Sequence, residues 1–334
     1  MLDIFIFTIN AILPVVLLMC LGYFLKAKGM FTKEFLKIAN TLVFKVLLPV
    51  LLFKNIAELE SIKEVDFSVI AVVLVGIVLL FIAGLLIIKT IPAPDEKGVV
   101  LQCTFRSNFA LIGISLAEML GGSNGVLSAA LISAFSIPIY NILAVISLSV
   151  FTDRVEGSMK DQIVDIVKKI FKNPLILGVL SGIAFLLLKP LGYEIIPVKV
   201  LDGFGFLKTF VSYVARAASP LSLIVLGGQF DFSKIAGFRK QIIISVAARN
   251  FMAPAIGLGI AIAANALGLV SFDAGVYASL VALFGTPVAV SSAIMAEAMG
   301  SNGQLASQLV VWTTVVSAFS LFVIVFLLRA VGLL

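Results

Sequence analysis

Apolar residues run along this chain in long, nearly unbroken blocks, and polar residues gather in the short gaps between them. A hydrocarbon layer about 30 Å thick takes roughly 20 helical residues to cross. Runs of that length lie near 4–25, 36–57, 67–89, 98–120, 124–151, 174–190, 200–228, 241–267, 274–299 and 304–331. They predict an all-α integral membrane protein with ten transmembrane helices. Pro49, Pro138, Pro220, Pro254 and Pro287 fall inside runs, and such breaks are tolerated in a membrane where neighbouring protein satisfies the freed backbone groups. The first run starts after Asp3 without a basic n-region or a small-residue cleavage site, so it reads as a retained helix rather than a signal peptide.

Composition agrees with this pattern. Of 334 residues, 61% are hydrophobic and 13% charged, against roughly 45–50% and about 25% in soluble domains. The net charge of +6 does not signal a nucleic-acid partner, because the basic residues sit in alternate loops. Lys26, Lys28 and Lys33 follow the first run, Lys89 and Lys97 the third, Arg154, Lys160, Lys168, Lys169 and Lys172 the fifth, and Lys234, Arg239 and Lys240 the seventh. The intervening loops are poor in basic residues, with Lys63 set among Glu58, Glu60, Glu64 and Asp66. Basic loops face the cytoplasm. This predicts a multi-pass plasma-membrane protein with both termini outside the cytoplasm. Histidine is absent, which removes the commonest proton switch and metal ligand. Cys20 and Cys103 both lie in apolar runs, which argues against a structural disulfide.

Residues 116–125 resemble 295–303. Leu116-Ala117-Glu118-Met119 leads to Gly121 and Ser123-Asn124-Gly125, and Met295-Ala296-Glu297-Ala298 leads to Gly300 and Ser301-Asn302-Gly303. Each stretch closes the fourth run of a set of five and opens the fifth; Pro49 and Pro220 correspond in outline as well. Five is odd, so the second set must enter the membrane in the opposite sense. The predicted organisation is a first five-helix repeat at 1–151, a cytoplasmic linker at 152–173 and a second, inverted repeat at 174–334. In the linker Ile163, Ile166, Val167 and Ile170 share one face of Met159–Lys172, as expected of a helix lying in the interface or of an extension of the sixth helix.

Inverted repeats in secondary transporters place substrate near the midplane, at discontinuous helices. Aligning Glu118 with Glu297 sets Asn108 opposite Pro287. Gly285-Thr286-Pro287 favours an opening in the ninth helix. Arg106-Ser107-Asn108 is polar at a depth where an arginine costs roughly 2.5–3.5 kcal/mol, so it must face protein or water. The expectation is a small polar cavity where broken helices 4 and 9 cross.

Together these segments resemble the auxin efflux carrier superfamily, including its bacterial malate and malonate permeases. The resemblance covers nearly the whole chain. It rests on Leu21-Gly22-Tyr23, Leu42-Val43-Phe44 running to Leu47-Leu48-Pro49, Arg106-Ser107-Asn108-Phe109, Asn173-Pro174-Leu175, Ser219-Pro220-Leu221, and Thr286-Pro287 running to Ala296-Glu297. It implies a substrate site at the crossing of helices 4 and 9, an elevator-like movement, and a homodimer formed by a scaffold of helices 1, 2, 6 and 7. Sodium–bile acid symporters share that architecture. Plant carriers have Pro beside Asn at both crossings; here Asn108 lacks an adjacent Pro, Pro287 lacks an adjacent Asn, and no large cytoplasmic loop is present. These departures fit a small bacterial permease better than a plant auxin carrier, and the substrate implied is a carboxylate such as malate or malonate, or an auxin-like acid.

The candidate substrate-binding residues are Asn108, Pro287, Arg106, Ser107, Thr286, Ser291 and Gln102. Arg106 offers a planar fork that matches a carboxylate, or a structural partner for Glu118 or Glu297. Arg249 suits substrate binding, coupling or gating, a buried pair, or a snorkelling position near the cytoplasmic end of its helix. Glu118 and Glu297, about three turns from the crossings, are candidates for coupling, gating or helix capping. Ser292 offers a further hydroxyl; Lys45 and Lys208 suit snorkelling or a vestibule. No cofactor or metal site is indicated, and coupling to Na+ or H+ stays open. The sequence contains no P-loop, and its Gly-x-Ser-x-Gly match, Gly121–Gly125, joins two apolar helical runs where a nucleophile elbow joins a strand to a helix, so direct ATP drive and hydrolytic catalysis are disfavoured. The expected function is therefore secondary transport of a small organic anion. A sodium-coupled symporter of the bile-acid type, or a sensor on the same scaffold, is the alternative.

Overall fold

The structure is a computed structural model. It describes residues 2–57, 67–152, 164, 167–168, 170–195 and 205–334. The acidic loop at 58–66 and most of the amphipathic stretch Met159–Lys172 lie outside the described residues. Among those described there are helices and no strands; Ser107 and Val288 form an isolated β-bridge. Among the described residues, six helices are long and apolar enough to cross a membrane by length and composition. Three shorter apolar helices, Leu13–Ala27, Pro174–Leu188 and Ala274–Gly285, accompany them.

Helix α1 is Leu2–Ala27. Helix α2, Lys33–Ala57, starts three residues before its apolar run because the Thr32 side chain caps it, accepting from Phe35 N–H. Its turn Val43–Leu47 is widened to a π-turn directly ahead of Pro49. Proline lacks an N–H and its ring crowds the carbonyl four residues back; a wider turn at that point accommodates it. Helix α3 is Phe67–Thr90. Helix α4, Pro94–Phe105, opens with proline and with Asp95 and Glu96 in its first turn, all favoured at a helix N-terminus. After residues 106–108 and a π-turn at Phe109–Gly113 comes α5, Ile114–Thr152, which bends at Gly122 (φ 58°, ψ −144°), a conformation open essentially to glycine.

Helices α6, Pro174–Ile195, and α7, Gly205–Gln229, follow. Helix α8, Ala236–Ala266, contains the π-turn Ala248–Met252. Helix α9, Ala274–Gly285, is capped by Asp273 accepting from Val276 N–H. The chain is then extended to α10, Val290–Ala298, and turns through Gly300 into α11, Gly303–Ala330, capped by Asn302.

Glycines let backbones touch, as is common where membrane helices pack. A Cβ on Gly22 of α1 would meet Ile224 O of α7, and one on Gly227 of α7 would meet Met19 O. Gly178 of α6 lies equally close to the Pro49 backbone of α2. A second group forms around α4, α5 and α9: Gly98 abuts Ser147 O, and Gly275 abuts Asn124. Phe284, at the end of α9, is fully buried with its ring between Gly76 of α3 and Gly257 of α8.

That ring leaves no room for a side chain at Gly257. A Cβ on Gly257 would stand 2.3 Å from the Phe284 ring, whereas Gly259, one turn-face away on α8, has nothing within 4 Å. Gly257→Ala should therefore cost about 1–3 kcal/mol by overpacking, and Gly259→Ala should be neutral or slightly stabilising. Thermal unfolding of both variants in detergent checks the contrast.

Candidate functional site

Two chain segments that are not helical meet inside the protein. Helix α4 ends at Phe105, and Arg106 is extended (φ −84°, ψ 110°). Helix α9 ends at Gly285, and Thr286 is extended (φ −71°, ψ 154°), as the following Pro287 requires. The segments run antiparallel, bridged at Ser107 and Val288. Asn108 N–H donates to Pro287 O at 2.8 Å, and Val288 N–H donates to Thr313 Oγ1 of α11 at 3.3 Å. Backbone groups freed by the interruptions thus find partners in each other and in α11.

The carbonyl ends are met by one side chain. Arg249, fully buried in α8, donates from Nη1 to Thr104 O (3.5 Å) and Phe105 O (3.2 Å). From Nη2 it donates to Leu283 O (3.4 Å) and Phe284 O. The snorkelling reading of Arg249 is thereby corrected: it reaches inward to main-chain acceptors, not outward to an interface.

Arg106 is buried at 4% exposure. Its Nη1 donates to Gln102 Oε1 (2.8 Å) and approaches Met295 Sδ (3.2 Å). Its Nη2 donates to Asn141 Oδ1 (2.9 Å) and Ser291 Oγ (3.1 Å). All four partners are neutral. A pairing with Glu118 or Glu297 is overturned, since both carboxylates lie on exposed residues; Glu297 instead stands against Gly303 at the start of α11, where a carboxylate suits the helix dipole.

Beside Arg106 is a small cavity of about 70 Å³. The crossing contributes Arg106, Ser107, Asn108, Ala289 and Ser291; α5 contributes Tyr140 and Asn141; the far wall is Leu48, Leu51 and Leu52 of α2, Leu175 of α6, and Ser219 and Ser222 of α7. Arg106 is the one charged residue among the described residues that line it. Asn108 Nδ2 is buried without a hydrogen-bond partner among them.

Of the residues picked out in the sequence, Arg106, Ser107, Asn108 and Ser291 share this cavity. Gln102 stands behind it as a support for Arg106. Pro287 contributes its carbonyl to Asn108 N–H, and the Thr286 hydroxyl turns back to Ala282 O at 2.9 Å. Ser292 is buried apart from the cavity, beside Gln102 and Cys103. Lys45 and Lys208 are exposed on the protein surface. Sequence reasoning passed over Asn141, although an amide three residues after Pro138 in an apolar helix is itself unusual; Asn141 Nδ2 returns to Ile137 O at 2.9 Å, which fixes its Oδ1 on Arg106.

These features define a polytopic α-helical membrane protein with a buried, positively charged polar site beside the ends of α4 and α9. A family model described as "Membrane transport protein" matches residues 7–325, and the chain belongs to that family. No curated protein matches the chain in a sequence search.

The position of Asn141 gives a stability test. Asn141→Leu removes an acceptor from a buried cation and should cost about 1.5–3 kcal/mol. Asn141→Asp supplies a charged acceptor at the same place and should retain or raise the midpoint of thermal unfolding; a loss equal to that of the leucine variant would contradict the Arg106 contact.

Proposed function

We propose that this family member is a secondary carrier of a small mono- or dicarboxylate, held at the crossing with its carboxylate on Arg106. The observation that carries the reading is a buried guanidinium lining a cavity whose described walls are otherwise uncharged, and bonded only to neutral side chains. Burying a charge without its counter-charge is costly, and a bound carboxylate would supply it. The unpaired Asn108 amide and the Ser107 and Ser291 hydroxyls provide further donors for a short anion. The cavity size favours a compact acid over an auxin-like or bile-acid-like one.

The ten-helix, inverted 5+5 organisation is part of this proposal. Matching contacts support it: Asn124 Nδ2 donates to Asp273 Oδ2 (3.4 Å) at the start of α9, and Asn302 Nδ2 donates to Asp95 Oδ2 (3.2 Å) at the start of α4. In this arrangement α1, α2, α6 and α7 form the scaffold and the homodimer. The remaining helices carry the site past the scaffold's largely apolar wall, an elevator-type movement. Basic loops face the cytoplasm of a plasma-membrane protein, with both termini outside.

Thermal unfolding of the purified protein against mono- and dicarboxylates tests the reading, because a ligand selective for the folded state raises its stability. A short carboxylate should stabilise the native protein. Arg106→Gln should weaken that affinity roughly tenfold or more, as expected for loss of a charge-assisted hydrogen bond, while barely changing the response to the uncharged amide analogue. An anion affinity unchanged in Arg106→Gln would remove Arg106 from the site. Near-normal uptake by both Asn108→Ala and Pro287→Ala would remove the crossing.

A further inference from the structure

Arg249 distributes its two terminal nitrogens one to each interrupted helix. Nη1 meets the last carbonyls of α4, and Nη2 meets the last carbonyls of α9. The final carbonyls of a helix have no intrahelical partner, and the macrodipole concentrates about half a negative elementary charge there. Two such ends directed at one point amount to about one negative charge, which one monovalent cation balances. Main-chain oxygens at the C-terminal ends of broken helices are also the ligands that membrane carriers present to Na+. Here the π-turn Ala248–Met252 delivers a guanidinium into that place. Asn250, the next residue, is fully buried and anchors the turn to α11 through Thr313 O (3.0 Å) and Ser320 Oγ (3.3 Å).

We propose that Arg249 is a tethered cation standing where these four carbonyls would otherwise bind a monovalent metal ion, so that the chain has no use for Na+ at the crossing. This separates the two buried arginines by task. Arg249 closes the helix ends and has its charge matched by main chain; Arg106, matched by neutral groups, is left for an anion. The consequence for ion coupling rests on the crossing being the transport site, but the cation itself can be tested without any substrate.

Thermal unfolding is measured for the native protein and for Arg249→Lys, Arg249→Gln and Arg249→Ala. The salts are N-methyl-D-glucamine chloride, sodium chloride and methylguanidinium chloride at equal, low millimolar concentration. The native midpoint should be the same in the first two salts. Arg249→Ala should unfold roughly 5 °C or more below native and recover at least half of that loss with methylguanidinium. Arg249→Lys, which keeps the charge, should exceed Arg249→Gln, which keeps only hydrogen-bond donors; this comparison decides the matter if the alanine variant does not fold. Sodium-specific stabilisation of the native protein would overturn the proposal, as would a glutamine variant as stable as the lysine one or an alanine variant indifferent to methylguanidinium. None of these readouts uses a carboxylate, so a failed anion screen and a failed tethered cation are told apart.

Discussion

A helix that stops inside an apolar protein leaves main-chain carbonyls and N–H groups with no water to bond, and each must find a partner within the protein. In this chain α4 and α9 both stop in the interior, at Phe105 and Gly285. Their carbonyls go to Arg249, the Asn108 N–H goes to Pro287 O, and the Val288 N–H goes to Thr313. The neighbouring architecture follows from holding those ends in register: glycines at 76 and 257 admit the Phe284 ring, and the π-turn of α8 brings Arg249 inward.

Two arginines lie at the crossing, and their surroundings differ in one decisive way. The Arg249 guanidinium bonds to carbonyls at two helix ends that carry partial negative charge. The Arg106 guanidinium bonds to an amide oxygen on α4, another on α5, and a hydroxyl and a thioether on α10. Those contacts orient it without matching its charge, beside a cavity with room for a few atoms. Under the proposed function this surrounding would favour an anion before any shape is considered, because a neutral solute does nothing for the buried charge. The facing wall is supplied by α2, α6 and α7.

Much of this is visible in the sequence, for physical reasons that also mark where reading stops. Apolar runs reveal helices because lipid demands them. The order of short motifs reveals the family, and the segments Leu47–Pro49, Arg106–Phe109, Asn173–Leu175 and Ser219–Leu221 each contribute a residue to the cavity wall. Arg106, Ser107, Asn108 and Ser291 stand out because polar side chains are conspicuous in apolar runs. Thr286 stood out for the same reason, yet its hydroxyl serves its own helix. What the sequence hides is the partner when that partner is main chain: every residue carries a carbonyl, so nothing in Thr104, Phe105, Leu283 or Phe284 announces a ligand for Arg249. The exposed placement of Glu118 and Glu297 was equally hidden, since it depends on how α5 and α10 turn after their interruptions. Asn141 was within reach, as an amide beside Pro138, but its partner lies thirty-five positions away.

Counterflow in proteoliposomes tests the central claim most directly, because it reports a carrier's alternating exposure of one anion site and needs no knowledge of a coupling ion. Vesicles loaded with unlabelled short carboxylate and diluted into labelled acid should show transient accumulation of label with the native protein and no accumulation with Arg106→Gln reconstituted to the same density. Equal accumulation by the native protein and Arg106→Gln, for every carboxylate the native protein exchanges, would contradict it.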